Sequence, residues 1–233
     1  EYSHRMLKSN KIPCIVLARK NSRGIKNKNR IKLNGLPLIN HTINYLKKVK
    51  LIDDIIISTD DKVIAQISEN NNCFTIFPRP THLSNDKATS EAALSHALKI
   101  YEEIKGKTDI TTFVQTTEFF KAPKMLEKCI KVLKKNKKID SCFAAYEQHK
   151  NFWIREKGSL KRISSFNERY KPRQEKKVVL REDTGLGLAT RSKFIRKNER
   201  LGNKVACITY SNPLYSLDLN QNDDLKLIKK ILK

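Results

Sequence analysis

What most restricts the fold of this chain is a regular exchange of two hydrophobic periods along its first 146 residues. Short apolar runs of strand type stand at 12–18 (IPCIVLA), 53–59 (DDIIIST), 73–77 (CFTIF), 109–115 (DITTFVQ) and 140–146 (DSCFAAY). Between them the apolar residues recur at helix spacing instead. Ile39, Ile43, Leu46 and Val49 follow Pro37, and KVIAQISEN follows the second run. Ala93, Leu94, Ala97, Leu98 and Tyr101 trace one helix face, and Leu126, Cys129, Ile130 and Leu133 another after Pro123. Strand and helix in alternation imply βαβ units. These build a three-layer α/β fold with a mainly parallel sheet covered on both faces.

The pattern breaks after Tyr146. Residues 147–180 are polar, hold the only tryptophan (Trp153) and contain β-like pieces such as FWIRE, so they read as a small inserted β-rich arm. The sheet is expected to resume with VACITY (205–210) and LYSLDL (214–219). Asp223–Leu232 should close the chain as a helix with Leu225, Ile228 and Ile231 inward. A single domain at 11–233 results, with residues 1–10 a disordered leader that lacks the apolar centre of a secretory signal.

Composition narrows the function classes. No stretch approaches the roughly 18 consecutive apolar residues of a membrane span, so no membrane partner is expected. The five cysteines are scattered singly with no C-x-x-C pair, which argues against a disulfide framework or structural zinc and fits a cytoplasmic chain. A net charge of +24 suits nucleic acid, an anionic small molecule or a lysine-rich surface alike. The lysines run along the whole chain rather than gathering in one arm, so nucleic acid is not the favoured partner.

In a parallel α/β sheet, ligands bind beyond the carboxyl ends of the strands, so the chemistry belongs in the loops after them. The first such loop, LARKNSRGIKNKN (17–29), sets Arg19, Arg23, Lys26 and Lys28 around Ser22 and Gly24. Backbone N–H groups, hydroxyls and cations together can wrap a polyphosphate. It is not a Walker A loop, because G-x-x-x-x-G-K-[ST] is absent.

The string VLARKNSRGIKNKN closely resembles the N-terminal signature of the acylneuraminate cytidylyltransferases, A-R-x-x-S-K-G-x-x-x-K-N. Further blocks follow in the family's order. LNGLPLINHTI (33–43), IIISTDD (55–61) and RPTHLSNDKATS (79–90, family R-P-x-x-L-x-x-D-x-x-x-S) are similar to its next three. KPRQE (171–175) and SLDLNQNDDL (216–225, family D-I-D-x-x-x-D-L) resemble its last two. The resemblance implies a Rossmann-like nucleotidyltransferase that transfers CMP from CTP to an acidic sugar, uses Mg²⁺ and forms a homodimer through the inserted arm.

Carried over by position, Arg19, Ser22, Arg23, Lys28 and Asn29 would hold the triphosphate and prime the α-phosphorus, and Arg79, Asp86 and Ser90 would frame the cytosine. Gln115 would face the sugar, Arg173 would reach its carboxylate with a bidentate fork, and Arg181 is kept in the block that borders it. Asp218 would hold Mg²⁺ with Asn220, which stands where the family has its second Asp. An amide oxygen can ligate Mg²⁺ but brings no charge.

Two acceptor-side blocks also depart. VQTTEFFK (114–121) stands for L-Q-P-T-S-P-x-R, keeping Gln115 and Thr117 but losing both prolines, with Lys121 for Arg. REDTGLGLATR (181–191) replaces N-G-A-x-Y, with Asp183 at the Asn position. The nucleotide half thus follows the family more closely than the acceptor half. A sialic-type nonulosonic acid is the first-choice acceptor and an eight-carbon ulosonic acid the second. A phosphonate or phosphorylated acceptor, and a non-catalytic nucleotide- or nucleic-acid-binding protein, remain as alternatives.

Overall fold

The computed structural model describes residues 9–22, 24–163 and 171–233, without the side chain of Arg173. Arg23 and residues 1–8 of the expected leader therefore lie outside the described residues.

Four strands of one eight-stranded sheet come from the alternating region in parallel: β1 (Pro13–Leu17), β4 (Asp54–Ser58), β5 (Phe74–Ile76) and β6 (Ile110–Phe113). β1 lies between β4 and β6, with Ile15 opposite both Ile56 and Phe113, and β5 adds outside β4. The helices between them are α1 (Leu38–Leu46), α2 (Lys62–Asn70) and α3 (Ser90–Lys105), and α4 (Met125–Lys135) follows β6. A two-residue hairpin, β2 (Lys32–Leu33) and β3 (Leu36–Pro37), precedes α1. It turns on Asn34 and Gly35, both at positive φ (46° and 78°), the conformation an Asn-Gly hairpin turn requires.

Alternation along β1 assigns the layers. Cys14 and Val16 face one core with Ile39, Ile43 and Leu46 of α1, Ile64 of α2, and Leu126, Cys129, Ile130 and Leu133 of α4. Ile15 faces the other, with Leu94, Ala97, Leu98 and Tyr101 of α3. These side chains are 0–1% exposed, so both faces of the sheet are dry. The apolar residues that marked each helix in the sequence are the ones that cover the sheet.

The rest of the sheet is mixed. β7 (Ser141–Gln148) pairs in parallel with β12 (Val205–Tyr210), and antiparallel with β11 (Leu188–Arg191) and β10 (Val179–Glu182). β11 also runs antiparallel to β6, which inserts it between β6 and β7. Sequence patterning does not reveal β11: LATR is short, fully buried and without alternation, so it carries no period-2 signal. A four-residue helix, α5 (Ser192–Ile195), follows it.

Within 147–180 lies an exposed hairpin of β8 (Trp153–Glu156) and β9 (Ser159–Arg162). The ends of that stretch belong to the main sheet, through Gln148 of β7 and Val179 of β10. LYSLDL is not a strand. Pro213 at the first helical position and the Asn212 side chain, accepting from Leu214 N at 3.0 Å, wind Pro213–Ser216 into a 3₁₀ turn instead. The closing helix α6 (Asn222–Ile231) buries Ile228, but Ile231 is 44% exposed, and Leu232 packs inward in its place. Among the described residues no helix is long and apolar enough to cross a membrane.

Candidate active site

The carboxyl ends of β1 and β6 and the loop that follows β5 open into one cleft of about 550 Å³. It is within the range of cofactor and nucleotide sites. Arg19, Ser22, Lys28, Asn29, Arg79, Asp86, Ser90, Gln115 and Asn220 all line it. Nine residues singled out from four separate sequence blocks thus meet at one place.

The basic loop after β1 is held rigidly for a surface loop. Asn29, 6% exposed, donates from Nδ2 to the Arg19 carbonyl at 3.1 Å and accepts from Thr116 Oγ1 at 2.6 Å, tying the loop to the end of β6. Lys28 Nζ donates to the Leu219 carbonyl at 2.7 Å and lies 3.5 Å from Asn220 Oδ1. Burial lowers the Lys28 pKa; the Arg19 charge works in the same direction and Asp218 opposes it. A buried ammonium with one short bond is ready to trade solvent for phosphate oxygens. Gly24 must be glycine, because a Cβ there would stand 1.8 Å from the Asn220 carbonyl oxygen.

A second strut is Arg30, at the end of the same loop. It donates from Nε to Asp61 Oδ2 at 2.6 Å and from Nη2 to Oδ1. Asp61 is 1% exposed and also caps α2 through the N–H groups of Val63 and Ile64. Burial works to raise its carboxyl, but Arg30 and the two amides overcome this and hold it below its ordinary value.

The opposite wall is the loop 79–90. Arg79, 4% exposed, donates from Nε to Ser84 Oγ at 3.1 Å, and its backbone N–H bonds the Thr59 carbonyl at 2.8 Å. Asp86 is ion-paired with Arg19 at 2.9 Å, which bridges the two walls across the cleft mouth. Ser90 opens α3, where Thr89 caps Ala92 N–H at 3.2 Å.

The acceptor-side residues are arranged differently. Gln115 N–H bonds the Gly185 carbonyl at 2.8 Å, and Lys121 Nζ donates to the Gln115 carbonyl. Arg181 is not among the residues lining the cleft. Its guanidinium grips Asp183 with both arms, at 2.8 and 3.0 Å, over the Tyr146 ring, while Tyr210 OH donates to the same carboxylate. Asp218 is not among the residues lining the cleft. Its Oδ2 accepts from Asn220 Nδ2 at 2.7 Å, and its buried Oδ1 has no hydrogen-bond partner among the described residues.

Sequence reasoning missed Glu118. It stands where the family block has Ser, and that acid was the available signal. It is 9% exposed, and its Oε2 is buried without a partner among the described residues. Burial pushes its carboxyl up to about 8; Lys121 opposes this, and the charges of Asp218 and Asp183 add to it. Among the described residues no three His, Cys, Asp or Glu side chains gather to hold a metal. A cation here would therefore draw on phosphate oxygens as well, which is the usual manner of Mg²⁺. The free oxygen of Asp218 fits such an ion.

Comparison with known proteins agrees with this geometry. The cytidylyltransferase family pattern matches residues 13–229. The chain is 37% identical over 92 residues to the CMP-N,N′-diacetyllegionaminic acid synthase of Campylobacter jejuni, covering 40% of this chain and 39% of that protein. It is 35% identical over 89 residues to a pseudaminic acid cytidylyltransferase of Campylobacter jejuni, covering 38% of each. It is 33% identical over 96 residues to the N-acylneuraminate cytidylyltransferase of Escherichia coli, covering 41% of this chain and 23% of that one. These matches thus span about two fifths or less of each relative's length.

Solved structures extend the fold likeness over nearly the whole chain. A CMP:2-keto-3-deoxy-manno-octonic acid synthetase complexed with CTP superposes with a TM-score of 0.68 at 13% identity, covering 96% of this chain and 98% of that one. A 4-diphosphocytidyl-2C-methyl-D-erythritol synthase from Anaerococcus prevotii gives 0.69 at 16% identity, with coverage of 96% and 98%. With the pattern running from the first sheet strand into the closing helix, this chain belongs to the cytidylyltransferase family.

Proposed function

We propose that this protein transfers CMP from CTP to an acidic sugar of the nonulosonic type, releasing pyrophosphate. The observation that carries the reading is the single cleft in which the phosphate-loop residues, the 79–90 wall and Gln115 meet. The names of the relatives favour a nonulosonic acceptor, and the eight-carbon ulosonic acid stays second.

In this reading the acceptor hydroxyl attacks the α-phosphorus and pyrophosphate leaves. Charge builds on phosphate oxygens, so positioning and fixed cations supply most of the rate. Lys28 and Arg19 sit on the loop that would face the phosphates, and Arg79 and Asp86 on the wall that would face the base. A bound Mg²⁺ would offset phosphate charge, with Asp218 as its protein carboxylate. Arg181 would act on the acceptor side indirectly, by fixing Asp183 and the strand edge around it.

The exposed hairpin, with Trp153 54% and Leu160 61% accessible, supports the reading of a homodimer built through the arm. Five cysteines, all free, accord with a cytoplasmic setting.

The test is thermal unfolding with CTP, ATP, GTP and UTP, each with and without Mg²⁺. This is followed by pyrophosphate release with N-acetylneuraminic acid and with 2-keto-3-deoxy-manno-octonic acid. A ligand at 100 times its dissociation constant adds about 2.7 kcal/mol, so a CTP-selective upward shift is the expected result. Equal shifts with all four nucleotides, or none, would sink the assignment.

A further inference from the structure

Among the described residues, two carboxylates at the acceptor end hold a buried oxygen that no donor reaches: Glu118 through Oε2 and Asp218 through Oδ1. Six other buried polar atoms among the described residues also lack a partner, but these two are the only carboxylate oxygens, and an orphaned carboxylate oxygen is costly. Two of them on adjoining segments need a cause.

The backbone sets them together. Leu219 N–H donates to the Thr117 carbonyl at 2.9 Å, so the segments carrying Glu118 and Asp218 are bonded to each other at the adjoining residues. Glu118 is 9% exposed, and its free oxygen is pressed against the Gly185 backbone: a Cβ on Gly185 would lie 2.6 Å from Glu118 Oε2 and 2.7 Å from Gln115 Oε1. Gln115 lines the cleft, so this oxygen-rich corner adjoins it. Among the described residues Lys121 makes no hydrogen bond or ion pair with Glu118: its ammonium bonds the Gln115 carbonyl, and its charge opposes the rise of the Glu118 carboxyl from a distance.

Asn220 has no oxygen to offer. Its amide nitrogen donates to Asp218 at 2.7 Å, and its amide oxygen faces the Lys28 ammonium at 3.5 Å. The residue at the family's second metal position is therefore occupied with orienting Asp218 and Lys28.

We propose that Glu118 is the second carboxylate of the divalent-cation site, shared with Asp218 and replacing the acid that Asn220 lacks. Two free carboxylate oxygens and the phosphate oxygens of the nucleotide make an all-oxygen set suited to Mg²⁺ or Mn²⁺. This rests on the nucleotide reading above.

The experiment measures CTP affinity by calorimetry in EDTA and in Mn²⁺, without acceptor, for the wild type, Glu118→Gln, Glu118→Asp and Asp218→Asn. The wild type should bind CTP in EDTA and bind it more tightly in Mn²⁺. Glu118→Gln should reduce the Mn²⁺ gain at least about tenfold, as Asp218→Asn does, while its affinity in EDTA stays within about twofold. Glu118→Asp should restore part of the gain. The metal-free melting temperature of Glu118→Gln should equal or exceed that of the wild type, since the change replaces a buried carboxyl lacking a partner with a neutral amide of the same shape. An undiminished Mn²⁺ gain in Glu118→Gln, with the gain lost in Asp218→Asn, overturns the proposal and leaves the nucleotide reading standing. No CTP binding by the wild type overturns both.

Discussion

Around the proposed nucleotide pocket, Lys28, Asn29, Arg79 and Thr116 are buried and each is fixed by a hydrogen bond. Around the proposed acceptor end, Glu118 and Asp218 each keep a buried oxygen that no donor among the described residues reaches, and Arg181 is locked onto Asp183. The first half is built before its ligand arrives. The second carries charge that needs a ligand or an ion to complete it. Preorganised cations lower the cost of gripping a phosphate, whereas unfinished carboxylates tie the acceptor end to what else is bound. The difference also matches the sequence, where the nucleotide blocks follow the family pattern more closely.

The sharpest way to break this contrast is at Gly24. Gly24→Ala places a methyl 1.8 Å from the Asn220 carbonyl oxygen, so either the basic loop or the 218–221 segment must move. We expect CTP affinity to fall by at least about a hundredfold, roughly 2.7 kcal/mol. Calorimetry showing an unchanged affinity would mean that the loop is not the phosphate cradle.

A smaller effect is expected at the strut behind the loop. Asp61→Asn removes a buried charge-assisted pair with Arg30 and should cost about 1.5–3 kcal/mol of stability. The folded Asp61 carboxyl titrates below its ordinary 3.8. Its contribution is therefore complete above that value and lost as pH falls through the lower folded value. Urea unfolding from pH 6 down to pH 2 should show the gap between wild type and variant closing at the acid end. A gap independent of pH would assign the cost to packing instead.

The smallest change sharpens the other half. Asn220→Asp replaces the amide that donates to Asp218 with a like charge. It should lower the metal-free melting temperature by a few degrees, on the order of 1 kcal/mol. At limiting Mg²⁺ the proposed role of Glu118 as second carboxylate predicts a rise in turnover of less than about tenfold. A larger gain would show that position 220 remains the true metal position.

The parallel core was legible because its helices announce themselves at 3.6-residue spacing and its strands as apolar runs bounded by polar loops. Cys14 and Val16 facing one layer and Ile15 the other follow from period 2 alone. β11 was not legible, since four buried residues between two other strands give no alternation. LYSLDL has the composition of a strand, and a local cap with Pro213 outcompeted it. The residues that line the cleft were found through motif strings. Glu118 escaped because its meaning lies in a missing partner, which only three dimensions reveal.

The bond from Lys28 to the Leu219 carbonyl joins positions 191 apart in the chain. Ile25, Leu33 and Leu38 share one apolar cluster with Leu219 and Ile228 across the same gap. During synthesis the basic loop leaves the ribosome long before the segment that seats it. Contacts of such long range form late, after the entropy of closing the intervening loop has been met. A chain that lacks the later segment has no fixed seat for the basic loop. Under the proposed function, nucleotide capture reports that the two distant segments have met, and a nascent chain should not sequester CTP before then.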